Sequence, residues 1–436
     1  MNQASDSSMT NDAGTLLKGP RPSDVNVQFV RKTFQFAEES LDMDALKVVR
    51  RLRRFGYETY LVGGCVRDLL LGAQPKDFDV VTSARPAEIR ALFRNCRLIG
   101  RRFRLAHLHF REHKIIEVAT FRREATEADD LSSRHAAQNL FGTAADDAVR
   151  RDFTVNALMY DVEEGQILDW TGGLEDINNR LIRAIGSPAR RLPEDPVRII
   201  RAVKFASKLG LEIEPDLQDK MRAFAPLLMD CSKARLLEEL FKILRSGHGA
   251  SCMQELHAIG ALAHILPGYC TAFEQLETAA SWHWLQKADD VVSSGQNVSD
   301  AFLLSVFLYP VMEDIVWETT DVARAVAAAL KPVVLPLQFT KKHLATVRNA
   351  YISQRRMVKG PKNKRARRLA ERDFAPEALA LLELTGKVPP AVVGQWRKIV
   401  DRHSSSRSSQ KNVPAAKSRR RRPPVRRTRT PKTDSE

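Results

Sequence analysis

Two aspartates, Asp77 and Asp79, stand either side of Phe78 in the stretch DFDVVT. On a strand, the two-residue period aims both carboxylates at one face and sends Phe78 into the core. Two like charges held that close favour a cation between them. Hard carboxylate oxygens suit Mg²⁺, which commonly takes one or two carboxylates and fills its shell with water and substrate phosphate. Glu117, in the later stretch KIIEVATFR, is a candidate third ligand. Alone, such a pair is more often a solvated acidic turn than a metal site. Its context shifts that balance. LVGGCVRD precedes the pair, Gly63 and Gly64 let backbone N–H groups approach a phosphate closely, and Arg67 adds charge. No GxxxxGK[ST] P-loop and no GxGxxG fingerprint occurs in the chain. Metal-holding carboxylates beside a phosphate-binding turn suit nucleotidyl transfer, one metal activating a hydroxyl and the other steadying the leaving pyrophosphate.

A second constellation lies in EDPVRIIRAVKF. Asp195 followed by Pro196 makes a good helix start, with an acid at the cap and proline in the first turn. That structural role for Asp195 stands beside a chemical one. Arg198, Arg201, Lys204 and Lys208 form a basic stripe at spacings of three and four, with Ile199, Val203 and Ala206 on another face. A carboxylate near an arginine offers an acceptor beside a donor. Adenine N6–H₂ and N1 match that pair, as do cytosine N4–H₂ and N3; guanine and uracil present the reverse order.

The elements expected to position these groups alternate. A helix is expected from Met43 to Phe55, where Leu46, Val49 and Leu52 repeat at helical spacing. TYLVGG reads as a strand, CVRDLLLG as a short helix, DFDVVT as a strand and ARPAEIRALF as a helix. RFRLAHLHF and KIIEVATFR read as two further strands, together making a small mixed sheet. Arg123 to Ala148 is polar and reads as a long loop, and from Glu194 onward the pattern is helical.

Of 436 residues, 43% are apolar and 28% charged, which fits a soluble globular protein and excludes a fibrous or mostly disordered one. AFLLSVFLYPVM is too short to span a bilayer, and the first residues show no secretory signal. The five cysteines, Cys65, Cys96, Cys231, Cys252 and Cys270, form no CxxC pair, which argues for a reducing, cytoplasmic setting and against structural zinc. The net charge of +16 is concentrated: Lys341 to Arg368 carries eleven Lys/Arg and no acid, and His403 to Glu436 carries eleven Lys/Arg against two acids. Such runs draw polyanions, although a solubilising surface is the plainer account. Lys341, Lys342, Arg355, Arg356, Arg365, Arg368 and the run Arg419, Arg420, Arg421, Arg422 are the candidate RNA contacts. A membrane is not expected, since no amphipathic anchor or acylation motif adjoins either run.

LVGGCVRDLLLG, KDFDVVT, RRDFTVNAL and EDPVRIIRAVKFASKLG, in that order, resemble the class II tRNA nucleotidyltransferase and bacterial poly(A) polymerase family over roughly residues 55 to 245. The resemblance implies that Asp77 and Asp79 bind catalytic Mg²⁺ and that Gly64 and Arg67 hold the triphosphate of ATP. It implies that Arg151 and Asp152 contact the nucleotide sugar, Asp152 also counting among the catalytic carboxylates. Without the family, RRD is only a basic pair and an acid before a strand. The resemblance assigns base reading to Asp195 and Arg198, with Arg201 beside them. Lys204 departs from the arginine expected in a CCA-adding enzyme. CRLIGRRFRLAHLHF and the Arg/Pro-rich C-terminus resemble the poly(A) polymerase branch.

The expected protein is α+β. A disordered segment (1–25) precedes a small mixed-sheet nucleotidyltransferase head (26–160), an all-helical neck that reads the base (161–245) and a helical, RNA-binding body (246–402). A disordered basic C-terminal arm (403–436) follows. The expected reaction transfers AMP from ATP to RNA 3′ ends, of mRNA and other transcripts, releasing pyrophosphate and promoting RNA turnover. The alternatives are a CCA-adding tRNA nucleotidyltransferase and a non-catalytic RNA-binding protein on the same scaffold. Protein partners from an RNA-decay machinery fit such an activity, but no residue pattern derives them.

Overall fold

The computed structural model describes residues 29–100, 105–124, 140–276 and 282–411. The expected disordered segment 1–25, the run Arg419 to Arg422 and residues 125–139 of the expected loop lie outside the described residues.

The head is one eight-stranded sheet. In chain order its strands are β1 (Val30–Thr33), β2 (Thr59–Val62), β3 (Asp79–Thr82), β4 (Cys96–Ile99), β5 (Leu105–His109), β6 (Ile115–Thr120), β7 (Met159–Asp161) and β8 (Gln166–Asp169). They lie side by side as β1-β8-β7-β2-β3-β6-β5-β4. Only the β3–β6 pair is parallel, and its register sets Asp79 opposite Glu117. Helix α1 (Met43–Arg54) forms where expected. Asp42 caps it by accepting from the Asp44 and Ala45 amides at 2.9 and 3.0 Å, and Leu46, Val49 and Leu52 are buried. Helices α2 (Gly64–Leu70) and α3 (Pro86–Leu92) follow β2 and β3.

Three expectations need correcting here. Strand β3 begins at Asp79, so Asp77 precedes the strand, although Phe78 is buried as expected. The polar stretch expected as loop to Ala148 contains α4 (Ala144–Val149), nucleated by a capping box in which Thr143 and Asp146 satisfy each other's amides. The sheet also runs past residue 160. Strand β8 pairs with both β7 and β1, and because Ile167, Leu168 and Asp169 are all buried it shows no alternation to betray it.

The neck begins with α5 (Gly173–Asn178) and continues through α6 (Pro188–Glu194), α7 (Val197–Leu209), α8 (Pro215–Phe224) and α9 (Lys233–Leu244). It is not wholly helical: β9 (Leu181–Ile182) and β10 (Glu212–Ile213) pair in parallel and bring the end of α7 back towards α5. The body is helical. Its central helix, Asp300–Glu318, is apolar on nearly every side and correspondingly buried. The last helix, Pro390–Lys411, passes residue 402, where the arm was expected to start; no Gly or Pro interrupts Gln395 to Lys411. Among the described residues no helix is long and apolar enough to cross a membrane.

Head and neck meet at Arg191 of α6. Its side chain is 1% exposed, and Nη2 donates to the carbonyls of Arg150 and Arg151 at 2.9 and 2.8 Å. Nη1 donates to Glu124 and Glu194 at 2.9 and 3.0 Å. Arg191→Met fills similar space but strands two carbonyls and two carboxylates. Removing one partner of a buried charged network costs about 3–5 kcal/mol. Urea denaturation followed by far-UV circular dichroism should show a loss of that size in the head–neck transition. A loss below about 1 kcal/mol would mean that water replaces the guanidinium.

Candidate active site

Strand β2 stops at Gly63, whose φ of +74° suits glycine alone. Space enforces the same choice, because a Cβ there would lie 3.3 Å from Arg151 Nη1 and 3.4 Å from the Asn156 carbonyl. The Gly63 N–H is already donated to Leu158 O at 3.0 Å. Gly63 therefore opens the turn by lacking a side chain, not by offering its amide. A cavity of about 570 Å³ opens over the turn. Its walls carry Gly63, Gly64, Arg67, Asp79, Arg151, Asp152, Asp195, Arg198 and Arg201, all expected from sequence, together with Arg150, Asn156 and Phe205.

Asp79 also lines a neighbouring cavity of about 540 Å³, shared with Asp77 and Glu117. Burial pushes the Asp79 carboxyl up to about 6, the Glu117 and Asp77 charges push the same way, and Arg151 opposes them. The carboxylate thus lies where negative charge is under-compensated. That donor set fits a divalent cation held by Asp77 and Asp79 and completed by substrate phosphates. Glu117, expected as a third ligand, lines the same cavity and stands opposite Asp79 across the β3–β6 pair. Among the described residues no three carboxylate, imidazole or thiol groups converge on one point, and Glu117 lies 3.3 Å from His107 Nε2.

The segment after α4 supplies the cationic wall. Asp147 is fully buried; burial would raise its carboxyl, but Arg151 and Arg150, paired to it at 2.7 Å each, hold it below the ordinary range. Arg151 is thereby fixed facing the glycine turn. Asp152, expected among the catalytic carboxylates, has no oxygen to spare. Oδ1 accepts from the Phe153 amide and Asn156 Nδ2, and Oδ2 accepts from Arg201 Nε and Nη2 at 2.7 and 2.6 Å. Its carboxylate is thus committed to Arg201, Asn156 and the Phe153 amide. Asn156 links this pair to Arg67, accepting from Nη1 at 2.5 Å, while Arg67 also bonds Asp68 and is itself buried. The guanidinium carbons of Arg67 and Arg201 lie 5.2 and 5.7 Å from the ring centre of Phe205.

At the far wall, Asp195 does not cap α7. It ends α6, Pro196 takes the cap position, and the Asp195 carboxylate instead accepts both Nη groups of Arg235 at 2.9 and 2.6 Å. Arg198 is mostly buried and its side chain donates to Arg191 O; its backbone N–H donates to the Asp195 carbonyl at 3.1 Å, but the two side chains face one cavity without bonding each other. Lys204 is turned away onto Glu239 at 2.7 Å and is not part of the wall. Arg235 was missed because α9 carries only an ordinary amphipathic pattern. Asn156 and Phe205 lay inside motifs already recognised, without a charge to draw notice.

The expected RNA contacts separate. Lys341 and Lys342 are exposed in the first turn of helix Lys341–Met357. Arg355 is spent on the Thr319 carbonyl at 2.7 Å. Arg356, Arg365 and Arg368 come together around another cavity in the body.

Residues 59–183 match the family model described as the poly A polymerase head domain, and residues 210–273 that described as the probable RNA and SrmB-binding site of polymerase A. The Poly(A) polymerase I of Salmonella typhi is 39% identical over 379 residues, covering 82% of this chain and 81% of its own. A CCA-adding enzyme of Geobacillus thermodenitrificans is 39% identical over 241 residues, 55% of this chain and 58% of its own. The crystal structure of the Bacillus stearothermophilus CCA-adding enzyme in complex with CTP superposes with a TM-score of 0.62 at 26% identity, covering 83% of this chain and 82% of the other. The glycine turn, the aspartate pair and Arg151 stand within the residues that match the head-domain model, and the chain belongs to the bacterial poly(A) polymerase family as a polynucleotide adenylyltransferase.

Proposed function

We propose that the cavity over Gly63 and Gly64 holds ATP and that the chain adds AMP to RNA 3′-hydroxyls without a template, releasing pyrophosphate. One observation carries this: Asp79, expected to hold metal, and eight residues from three other segments, expected to act on the nucleotide, line one cavity. Asp77 and Asp79 would hold two Mg²⁺ ions, which when bound polarise the α-phosphate and lower the pKa of the attacking hydroxyl.

The protein's own groups do the rest. The side-chain-free turn gives the triphosphate room, and Arg67 and Arg151, fixed by Asn156 and Asp147, supply positive charge that needs no reorganisation during reaction. Arg201, held by Asp152, and Arg198 present donors along the neck. Asp195, oriented by Arg235, presents the acceptor that a base amino group requires. RNA is taken up by the basic body and C-terminus, whose charge is sequence-independent. All five cysteines are free thiols, which supports the expected reducing, cytoplasmic setting. An acceptor beside a donor would suit cytosine as well, and a CCA-adding relative matches over 241 residues. The longer match to a Poly(A) polymerase I favours ATP.

Asp77→Asn and Asp79→Asn should each lower turnover at least about a hundredfold, the scale of one lost electrostatic group at a reacting centre. RNA affinity in a filter-binding assay should be unchanged. Near-normal turnover with Mg²⁺ in either variant would remove the metal role from the pair.

Asp195→Ala and Arg235→Ala should both blunt the preference for ATP over GTP and UTP. A well-placed pair contributes about 1–3 kcal/mol of base discrimination. Single-nucleotide incorporation with each NTP, on a generic RNA and on a tRNA lacking its CCA end, reads this directly. Unchanged preference in both variants would move base reading elsewhere, and addition stopping at CCA on tRNA alone would overturn the choice of ATP.

A further inference from the structure

Among the described residues, six unpaired cations gather in the body. A cavity of about 700 Å³ is enclosed by the end of helix Lys341–Met357, the short helix Lys364–Arg367 and helix Pro390–Lys411. Arg356, Lys359, Lys362, Arg365, Arg368 and Arg372 line it, all exposed, with no carboxylate in the wall. None of the six is ion-paired among the described residues. Elsewhere in the neck and body, Arg245, Lys387 and Arg397 are each matched with an acid. Six like charges gathered around one hollow repel each other, and a polyanion entering it would relieve that repulsion.

The floor is rigid and the chemistry of the wall is one-sided. Trp396 is fully buried and donates Nε1 to the Met357 carbonyl at 2.8 Å, so it braces the hollow and offers no stacking face. Asn363 is the neutral amide in the wall, and its Oδ1 is spent on the Ala366 N–H. What remains are donors and positive charge. Such a surface binds phosphate oxygens and does not tell one base from another. Helix Pro390–Lys411, which supplies Trp396, leads directly into the basic sequence after Lys411, so the hollow and that sequence adjoin along the chain.

We propose that this hollow is an upstream grip on RNA. It holds the sugar-phosphate backbone of a segment behind the 3′ end under extension, regardless of sequence, and makes extension depend on primer length. The proposal rests on the reading of the chain as an enzyme that extends RNA. Six cations in one hollow exceed what a single phosphate neutralises, which favours a polymer over a free anion.

The test uses the full chain carrying Lys362→Gln, Arg365→Gln and Arg368→Gln together. A charge-matched variant, Arg50→Gln, Arg54→Gln and Arg90→Gln, removes three exposed cations from the head. Each neutralised phosphate on a single strand contributes about 0.7 to the slope of log K against log[salt]. The hollow variant should therefore bind a long oligoadenylate with a slope shallower by about 2. Its KM for that primer should rise at least about tenfold, while KM for ATP and turnover on the shortest extendable primer stay within about twofold of the parent. The head variant should match the parent in all of these. An unchanged slope would overturn the proposal, as would an equal loss on short and long primers. Loss of polyglutamate binding with RNA binding intact would assign the hollow to an acidic protein and overturn it as well. A parent chain that binds RNA with the hollow-dependent slope, yet adds no AMP, would uphold the grip and sink the proposed activity.

Discussion

The cavity over the glycine turn is walled by head and neck, and two arginines of the neck hold one short segment of the head beside it. Arg191 binds the carbonyls of Arg150 and Arg151, and Arg201 grips the carboxylate of Asp152, the next residue. The neighbouring backbone continues the junction, with Thr154 N donating to Arg183 O and Ile185 N to Asp152 O, both at 3.1 Å. Phe153 packs edge-on against Phe205 at 5.9 Å. A buried charged contact is a poor source of net stability, because desolvation offsets most of the attraction. It is a good source of geometry, since a misplaced partner leaves a charge buried and unpaired. That is the use made of it here: the wall with Gly63 and Asp79 and the wall with Asp195 and Arg198 belong to different units, and the arginines fix their separation.

Charge is sorted across that junction. On the head side, the cations beside the glycine turn are immobilised by acids behind them, Arg151 by Asp147 and Arg67 by Asp68. Asp79 is left with neighbours that mostly repel it. The site thus holds positive charge where a triphosphate would lie and unrelieved negative charge where a cation would. Both imbalances cost stability in the free protein and are relieved by a metal–nucleotide complex. An active site built in this way gives up native stability for preorganisation.

The centre of the head sheet, β2, β3, β5 and β6, and nearly all of the cavity lining were legible in the sequence, whereas β1, β4 and β8 were not. Gly63 and Asp79 stand out by their spacing in a Gly-Gly turn and a two-aspartate stretch, whereas Arg151 and Asp195 are assigned through the motifs that carry the family resemblance. What could not be read was which partner each charge would choose. Asp195 before Pro196 looks like a helix cap, yet its carboxylate goes to Arg235, forty residues on in a helix whose pattern gives no hint. Asp152 looks like a third catalytic acid, yet all its hydrogen-bonding capacity is taken by Phe153, Asn156 and Arg201. Glu117 sits in the right register beside Asp79, but it lies against His107. Local patterns fix elements and faces; long-range pairing of polar groups is a tertiary property. For the same reason β8, buried without alternation, escaped notice, and five of the body's six cations appeared only as part of a linear run, and Arg372 not at all, until the helices closed them around one hollow.

The central claim is that Asp152 and Arg201 act as one unit to set the nucleotide cavity. A double-mutant cycle measures this most directly, using Asp152→Asn, Arg201→Met and the pair, with kcat/KM for ATP as the readout. Contacting residues in one network commonly couple by about 0.5–3 kcal/mol. Each single variant should lose activity, and the double variant should be no worse than the weaker single one. Losses that simply multiply would show that the two residues act separately, and would contradict the account.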